Sequence, residues 1–310
     1  MLRMSANPTV AVLLAAFEGE VWIAEQVSSI LDQQDVQVAL YISVDPGQDG
    51  TLSWCQQLAE RDSRVTLLPQ QRAGSAAANF LRLIRDVPAE TADYVSFADQ
   101  DDIWRPDKLI AGIKLLQISN ASGYSSDVDA FWPDGRQQRI VKSQPQREYD
   151  YLCESPGPGC TFVLTKALYT ALQGFVAQHQ SALNTLHFHD WLIYAFARAS
   201  GYQWVIDSES YMAYRQHANN EQGANVGVLH KLKRFKALLG GRWFGQMQLL
   251  AKLLADRDPA AQQVADAFAR GRMGYWTLFC WAPKLRRAKF EQWVWAFACL
   301  LTVLLGPPRS

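Results

Sequence analysis

The sequence carries no net charge: 30 Lys and Arg are matched by 30 Asp and Glu over 310 residues. Such a balance excludes a partner held by overall charge, so no nucleic acid is expected, and any charge-based chemistry must be local. Cysteine is sparse as well. Cys55, Cys153, Cys160, Cys280 and Cys299 form an odd set with no CxxC and no His-rich spacing. That excludes a disulfide framework and a zinc site, and reads as reduced thiols of a cytoplasmic protein. Long apolar runs are missing. The run at 9–16 is too short and wrongly flanked for a secretory signal, and the run at 293–305 falls short of the roughly 20 residues a helix needs to cross a bilayer. No glycine-rich phosphate loop follows the first apolar run, where Phe17-Glu18-Gly19-Glu20 stands instead.

What is present is a hydrophobic fraction of 49%, enough for one large α/β domain with appended helices or for two small domains. Thr9 to Ala16 reads as a central parallel strand buried on both faces, followed by a helix with Trp22, Ile23, Gln26, Val27, Ile30 and Leu31 at helical spacing. The alternation continues: strand Val38 to Val44, a Pro46-Gly47-Gln48-Asp49-Gly50 turn, helix Thr51 to Glu60, strand Val65 to Leu68, helix Ala76 to Arg85, strand Tyr94 to Ala98. Such a series predicts a parallel sheet with right-handed crossovers. Ligands of open α/β sheets bind outside the carboxyl ends of the strands. Four loops therefore converge on one rim, at residues 17–20, 45–49, 72–75 and 99–102. Residues 131–150 turn polar and aperiodic and are expected to form a mobile connection. Beyond it lie a Pro-Gly-Pro-Gly loop, a strand Thr161 to Thr165, a helix starting near His189 and a strand Gln203 to Asp207. After Leu229 the reading is helical.

Asp99, Asp101 and Asp102 sit within four residues at the end of a buried strand. They would repel one another unless a cation or hydrogen-bond donors compensated them, and oxygen-rich sets of this kind suit Mg²⁺ or Mn²⁺. Alternatively, Asp101 or Asp102 caps a helix beginning near Pro106 while the others are solvated. Asp190, in His187-Phe188-His189-Asp190-Trp191-Leu192, opens an amphipathic helix. It is a candidate general base or a plain N-cap. Arg215 and His217 carry the chemistry to hold diphosphate oxygens, or belong to a solvated loop.

The stretch from Tyr94 to Leu109, YVSFADQDDIWRPDKL, resembles the DxD segment of glycosyltransferase family 2, especially its rhamnosyltransferase-like members. Val12 to Leu31 is similar to that family's opening strand, turn and helix, and the likeness covers most of residues 9–225. The resemblance implies a Rossmann-like GT-A fold, a mostly parallel sheet flanked by helices with a C-terminal helical extension. The transferase domain would occupy 1–225, with a nucleotide-sugar half at about 9–130 and an acceptor half at about 151–225, and the helical tail 226–310. It also implies an inverting, Mg²⁺- or Mn²⁺-dependent sugar transfer, rhamnose being one candidate, from a nucleoside diphosphate sugar to a glycan or lipid-linked acceptor in cell-surface polysaccharide synthesis. Donor contacts would come from Ala16, Phe17, Glu18, Asp45, Asn79, Asp99, Gln100, Asp101 and Arg215, with Asp45 at the nucleobase. Acceptor contacts would come from Gly159, Cys160, Thr161, His189 and Trp191. Asp101, Asp102 and His217 would hold the metal, and Asp190 would be the catalytic base. The chain departs from the family pattern at Glu18, where Asn is usual, and at Asp45-Pro46-Gly47, where an Asp-Gly-Ser turn is usual.

The segment His230 to Leu239 combines five basic or potentially basic residues with apolar ones at helical spacing, and residues 293–305 follow a basic cluster. Peripheral contact with the inner face of the cytoplasmic membrane is one reading, packing against the catalytic domain or a partner subunit the other. Two rival functions stand beside the transferase: a nucleotidyltransferase, and a non-catalytic transferase-like subunit of an envelope assembly.

Overall fold

The computed structural model describes residues 7–217 and 242–306. The segment His230 to Leu239 lies outside them, as does the expected boundary at 225.

Eight residues rich in Val, Leu and Ala build β1 (Thr9–Ala16), and nearly all are buried because neighbours cover both faces. It pairs in parallel with β2 (Gln37–Val44) and with β4 (Tyr94–Ala98), and β2 pairs in parallel with β3 (Val65–Leu67). Three helices, α1 (Ile23–Leu31), α2 (Thr51–Arg61) and α3 (Ala76–Asp86), make the crossovers. Ser75 caps α3 by accepting from the Ala78 amide. Parallel register brings the carboxyl ends of β1, β2 and β4 to one edge, where the acidic loop sits.

The acidic loop leads through the two-residue β5 (Ile103–Trp104) into α4 (Lys108–Ser119), which ends at Asn120 in the left-handed region (φ 51°). The helix cap is Asp107, so the alternative of Asp101 or Asp102 as cap is excluded.

The larger sheet is mostly parallel, as expected, with one strand reversed. β9 (Val163–Thr165) runs antiparallel to both β4 and β6 (Gly123–Ser126), and the seven-stranded order is β10-β6-β9-β4-β1-β2-β3, with β10 (Trp204–Asp207) at the edge. The cause is local. Residues Gly159–Thr161, a single 3₁₀ turn, lie beside the carboxyl end of β4, so the strand that follows starts at the rim and runs away from it. Helices α5 (Lys166–Gln178) and α6 (Gln180–Leu183) come next.

Part of the connection expected at 131–150 is instead a strand. β7 (Val128–Phe131) and β8 (Gln137–Ile140) form a hairpin turning at Gly135 (φ +84°), and with β5 and β11 (Met212–Arg215) they make a second, four-stranded sheet. The sequence of β8 hid it. An exposed edge strand needs no apolar face, and its pairing rests on backbone bonds plus an Arg139–Asp129 ion pair of 2.6 Å.

The chain divides into two compact units. The first comprises Met1–Ser143, Gly157–His189 and Tyr202–Gly223; the second comprises Gln144–Pro156, Asp190–Gly201 and Ala224–Ser310. Six helices carry the described part of the second unit: α7 (His189–Ala199, whose first residue belongs to the first unit), α8 (Arg242–Leu254), α9 (Pro259–Ala269), α10 (Arg272–Cys280), α11 (Ala282–Leu285) and α12 (Lys289–Leu305). Its centre is ionic. Asp150, fully buried, accepts from Tyr194 Oη at 3.1 Å and pairs with Arg287 at 3.0 Å and Arg198 at 3.3 Å. A charge so enclosed persists only when surrounded by donors in this way.

Candidate active site

The site is built on the loop that leaves β4. Ala98 is fully buried, and the chain then turns through Asp99, Gln100, Asp101 and Asp102 under the end of β1. Gln100 closes a two-point clasp on that end: its Oε1 accepts from the Phe17 amide at 2.8 Å and its Nε2 donates to the Phe17 carbonyl at 2.8 Å. A side chain that takes both backbone groups of one residue fixes one loop to another. Glu18 follows with φ 48°, and its Oε1 accepts from the Gln48 amide at 3.4 Å. Asp49, Thr51 and Glu20 tie the same two loops further out: Gly19 N donates to Thr51 Oγ1 at 2.9 Å, Glu20 N to Asp49 at 3.0 Å and Gly50 N to Glu20 at 2.9 Å.

The three aspartates have different surroundings. Asp102 is 1% exposed; its Oδ1 accepts from the Arg215 amide at 3.2 Å, whereas Oδ2 is buried with no partner. Burial, with Asp101 and Asp99 adding like charge, pushes its carboxyl well above the usual range. Oxygen atoms of Asp99 and Asp102 and the Cys160 sulfur all lie within 4.8 Å of one another. The Cys160 thiol is itself pushed up by burial and the neighbouring acids, so it stays protonated. Asp101 takes a different partner, His217, whose Nε2 donates to its Oδ2 at 2.7 Å. The imidazole is stacked on Trp22 with centroids 4.0 Å apart and planes 12° from parallel.

Arg215 joins the pieces. Its Nε donates to the Asp101 carbonyl at 2.8 Å, its terminal nitrogen meets Glu25 at 2.5 Å, and its guanidinium lies 4.7 Å from the Phe131 ring centre. Below the loop, Lys108 is buried over the Trp104 ring at 3.5 Å, and burial lowers its amine to about 7.

A divalent cation fits this donor set. Carboxylate oxygens are hard ligands, and the buried Oδ2 of Asp102, unpartnered and clustered with Asp99, is an oxygen that such an ion would satisfy. The protonated, soft sulfur of Cys160 suits such an ion less well than these oxygens.

Other expected site residues sit as follows. Asp45 is braced, its two oxygens accepting from the amides of Ala73 at 2.8 Å and Gly74 at 2.6 Å, while its own amide donates to the Ala16 carbonyl at 2.8 Å. Asn79 is buried and exchanges bonds with Ser43, accepting from its hydroxyl at 2.5 Å and donating to its carbonyl at 3.0 Å. These bonds buttress β2. Gly159, Cys160 and Thr161 are buried, with the Thr161 hydroxyl donating to the Pro158 carbonyl at 2.7 Å. His189 is stacked on Phe80 at 4.0 Å, its Nε2 buried without a partner, and burial holds its pKa down at about 3.

Trp191 is 1% exposed in the second unit, and its indole N–H donates to the Tyr151 carbonyl at 2.9 Å. Asp190 stands in the first turn of α7, half-buried, with Oδ1 accepting from the Trp191 amide at 2.8 Å.

Trp22, Glu25 and Lys108 were not anticipated as site residues. Trp22 and Glu25, three residues apart at the start of α1, show one hint in the sequence: they share the end of the helix that faces the rim.

Comparison with known proteins fits this geometry. Residues 8–132 match the model described as glycosyltransferase like family 2. The dTDP-rhamnosyl transferase RfbG of Shigella flexneri is 39% identical over 282 residues, covering 90% of this chain and 96% of that protein. A putative teichuronic acid biosynthesis glycosyltransferase, TuaG of Bacillus subtilis, is 25% identical over 51% of this chain and 62% of its own. Among solved structures, residues 1–349 of TarS from S. aureus superpose with a TM-score of 0.56 at 13% identity, covering 95% of this chain and 80% of that one. The mannosyltransferase PcManGT of Pyrobaculum calidifontis, solved with GDP-Man and Mn²⁺, superposes with a TM-score of 0.52 at 16% identity over 97% of this chain and 88% of its own. These two share the fold, a GT-A architecture. The chain therefore belongs to glycosyltransferase family 2, in its rhamnosyltransferase-like branch, and is a glycosyltransferase that uses a nucleotide sugar.

Proposed function

We propose that this enzyme transfers rhamnose from dTDP-rhamnose to a hydroxyl of a glycan or lipid-linked acceptor in cell-surface polysaccharide synthesis, with inversion at the anomeric carbon. The sugar is taken from the likeness to RfbG, which spans nearly both chains. The observation that carries the chemistry is the Asp102 carboxylate, buried with one oxygen unpartnered beside Asp99 and Asp101 at the carboxyl end of β4.

Asp99, Asp101 and Asp102 are the residues that would hold Mg²⁺ or Mn²⁺. Such an ion, when bound, offsets charge on the leaving diphosphate. His217 and Arg215 hold the Asp101 segment in place through its carboxylate and its carbonyl. Gln100 and Glu18 keep the β1 loop against the acidic loop and the β2 loop. The acceptor oxygen attacks the anomeric carbon from the side opposite the diphosphate, the bond from that carbon to the diphosphate oxygen breaks, and the acceptor proton passes to a base. We assign that base to Asp190, on the sequence motif and its place in the first turn of α7. All five cysteines are free, which suits a cytoplasmic reaction.

The test is turnover of dTDP-rhamnose, UDP-GlcNAc and GDP-mannose by the purified chain with Mg²⁺ or Mn²⁺, read as nucleoside diphosphate released. The expected result is preference for dTDP-rhamnose, abolished by Asp101→Asn. Asp190→Asn should keep donor affinity and lose transfer. Turnover unaffected by chelator or by Asp101→Asn would remove the metal and its ligands from the reading, and preference for another donor would remove rhamnose.

A further inference from the structure

Helix α12 is apolar on both sides. One face, with Trp295, Ala298, Cys299 and Thr302, is buried; the Trp295 indole donates to the Leu278 carbonyl of α10 at 3.3 Å, and the Thr302 hydroxyl is satisfied by the Ala298 carbonyl at 2.9 Å. At 3.6 residues per turn, Phe290, Trp293, Phe297, Leu300, Leu301 and Leu304 fall on the opposite arc. Four of these six are exposed, Trp293 at 77%, Leu304 at 65%, Phe290 at 60% and Phe297 at 52%, while Leu300 and Leu301 are half-buried. A surface helix of a soluble protein normally presents polar residues there, and an exposed apolar stripe marks an interaction surface.

Charge indicates what covers it. Lys289, exposed, stands one turn before Trp293, and the guanidinium of exposed Arg272 lies beside Gly306 at the far end. Glu291 is paired with Arg286, and α12 carries no other acid. Cations thus flank an apolar stripe with no hydrogen-bonding group except the Trp293 indole. A lipid interface, which takes apolar side chains without directional bonds and attracts cations when anionic, complements this pattern. Among the described residues no helix is long and apolar enough to cross a membrane, and the 17 residues of α12 span about 25 Å, so the helix would lie along the surface.

We propose that the Phe290–Leu304 face of α12 docks the enzyme on an anionic phospholipid bilayer, with Trp293 and Leu304 inserted and Lys289 and Arg272 at the headgroups. The contact is independent of the donor chemistry.

Flotation of the full chain with phosphatidylcholine vesicles, with and without phosphatidylglycerol, tests it, alongside a Trp293→Glu/Leu304→Glu variant whose folding is checked by thermal melting. The chain should float with anionic vesicles, less so at high salt, and the variant should lose roughly tenfold or more in partitioning. In the unaltered chain, lipids brominated on their acyl chains should quench tryptophan fluorescence, a readout that stands even if the variant misfolds. Absence of flotation with either vesicle, or flotation unchanged in a folded variant, overturns the proposal. A vesicle-indifferent dimer split by the same substitutions also overturns it and makes the face a contact between two copies.

Discussion

His217 Nε2 meets Asp101 Oδ2 at 2.7 Å, across 116 positions of sequence. The histidine stands two residues beyond the end of β11, and its ring is stacked on Trp22 at the start of α1. Three separate segments therefore set the direction of one carboxylate.

If that contact orients Asp101, and Asp101 holds the proposed cation, His217→Ala should lower transfer by about 10- to 100-fold, as expected for removal of a group that aims a metal ligand. The loss of stability should stay near 1 kcal/mol, since one hydrogen bond is removed. His217→Gln, which retains a donor, should recover part of the activity. Initial rates at saturating metal against melting temperature separate the two effects; equal rates for all three proteins would rule out the orienting role.

Gln100 makes a second prediction. Both arms of its amide hold the Phe17 backbone, so Gln100→Ala frees the β1 loop without touching the carboxylates. The donor KM should rise roughly tenfold with kcat little changed, because loop ordering is then drawn from binding energy. Steady-state kinetics with varied donor check this, and a drop confined to kcat would contradict it.

Much of this rim was legible in the sequence, because a strand buried on both faces has a pattern that needs no knowledge of its neighbours. β1 and β4 occupy the expected residues, and the acidic loop falls where β4 ends. What escaped reading depends on partners far along the chain. The Arg215–Glu25 pair links residues 190 apart, and neither shows a periodicity that would announce the other. β8 was missed because an exposed edge strand lacks an apolar face, and the burial of Trp191 was hidden because a motif gives residue order but not which way an indole points.

His189 provides a pH test. An unfolded histidine takes up its proton near pH 6.5, whereas burial against Phe80 holds the folded group down to about 3. Between these values the unfolded chain binds the extra proton, so stability falls as pH falls through that window and is unaffected above it. His189→Phe keeps the stack and abolishes the titration. Its melting temperature should match that of the unaltered chain near pH 8 and exceed it increasingly below pH 6.5. Parallel curves would show that the ring is protonated in the folded state.

The last prediction separates packing from recognition at Trp191. The ring is 1% exposed, lies 5.1 Å from Trp243 between centroids, and donates to the Tyr151 carbonyl. Trp191→Phe removes that donor from a buried acceptor and leaves unfilled volume. The two together should cost about 2–4 kcal/mol, visible as a lower melting temperature. Below that temperature the KM for acceptor should be unchanged, because the indole contributes no surface that an acceptor could reach. A Trp191 that contacted acceptor would give the opposite signature, a raised KM with melting intact. Measuring both quantities on one preparation therefore decides whether the His-Asp-Trp motif carries its tryptophan for the core of the second unit or for the substrate.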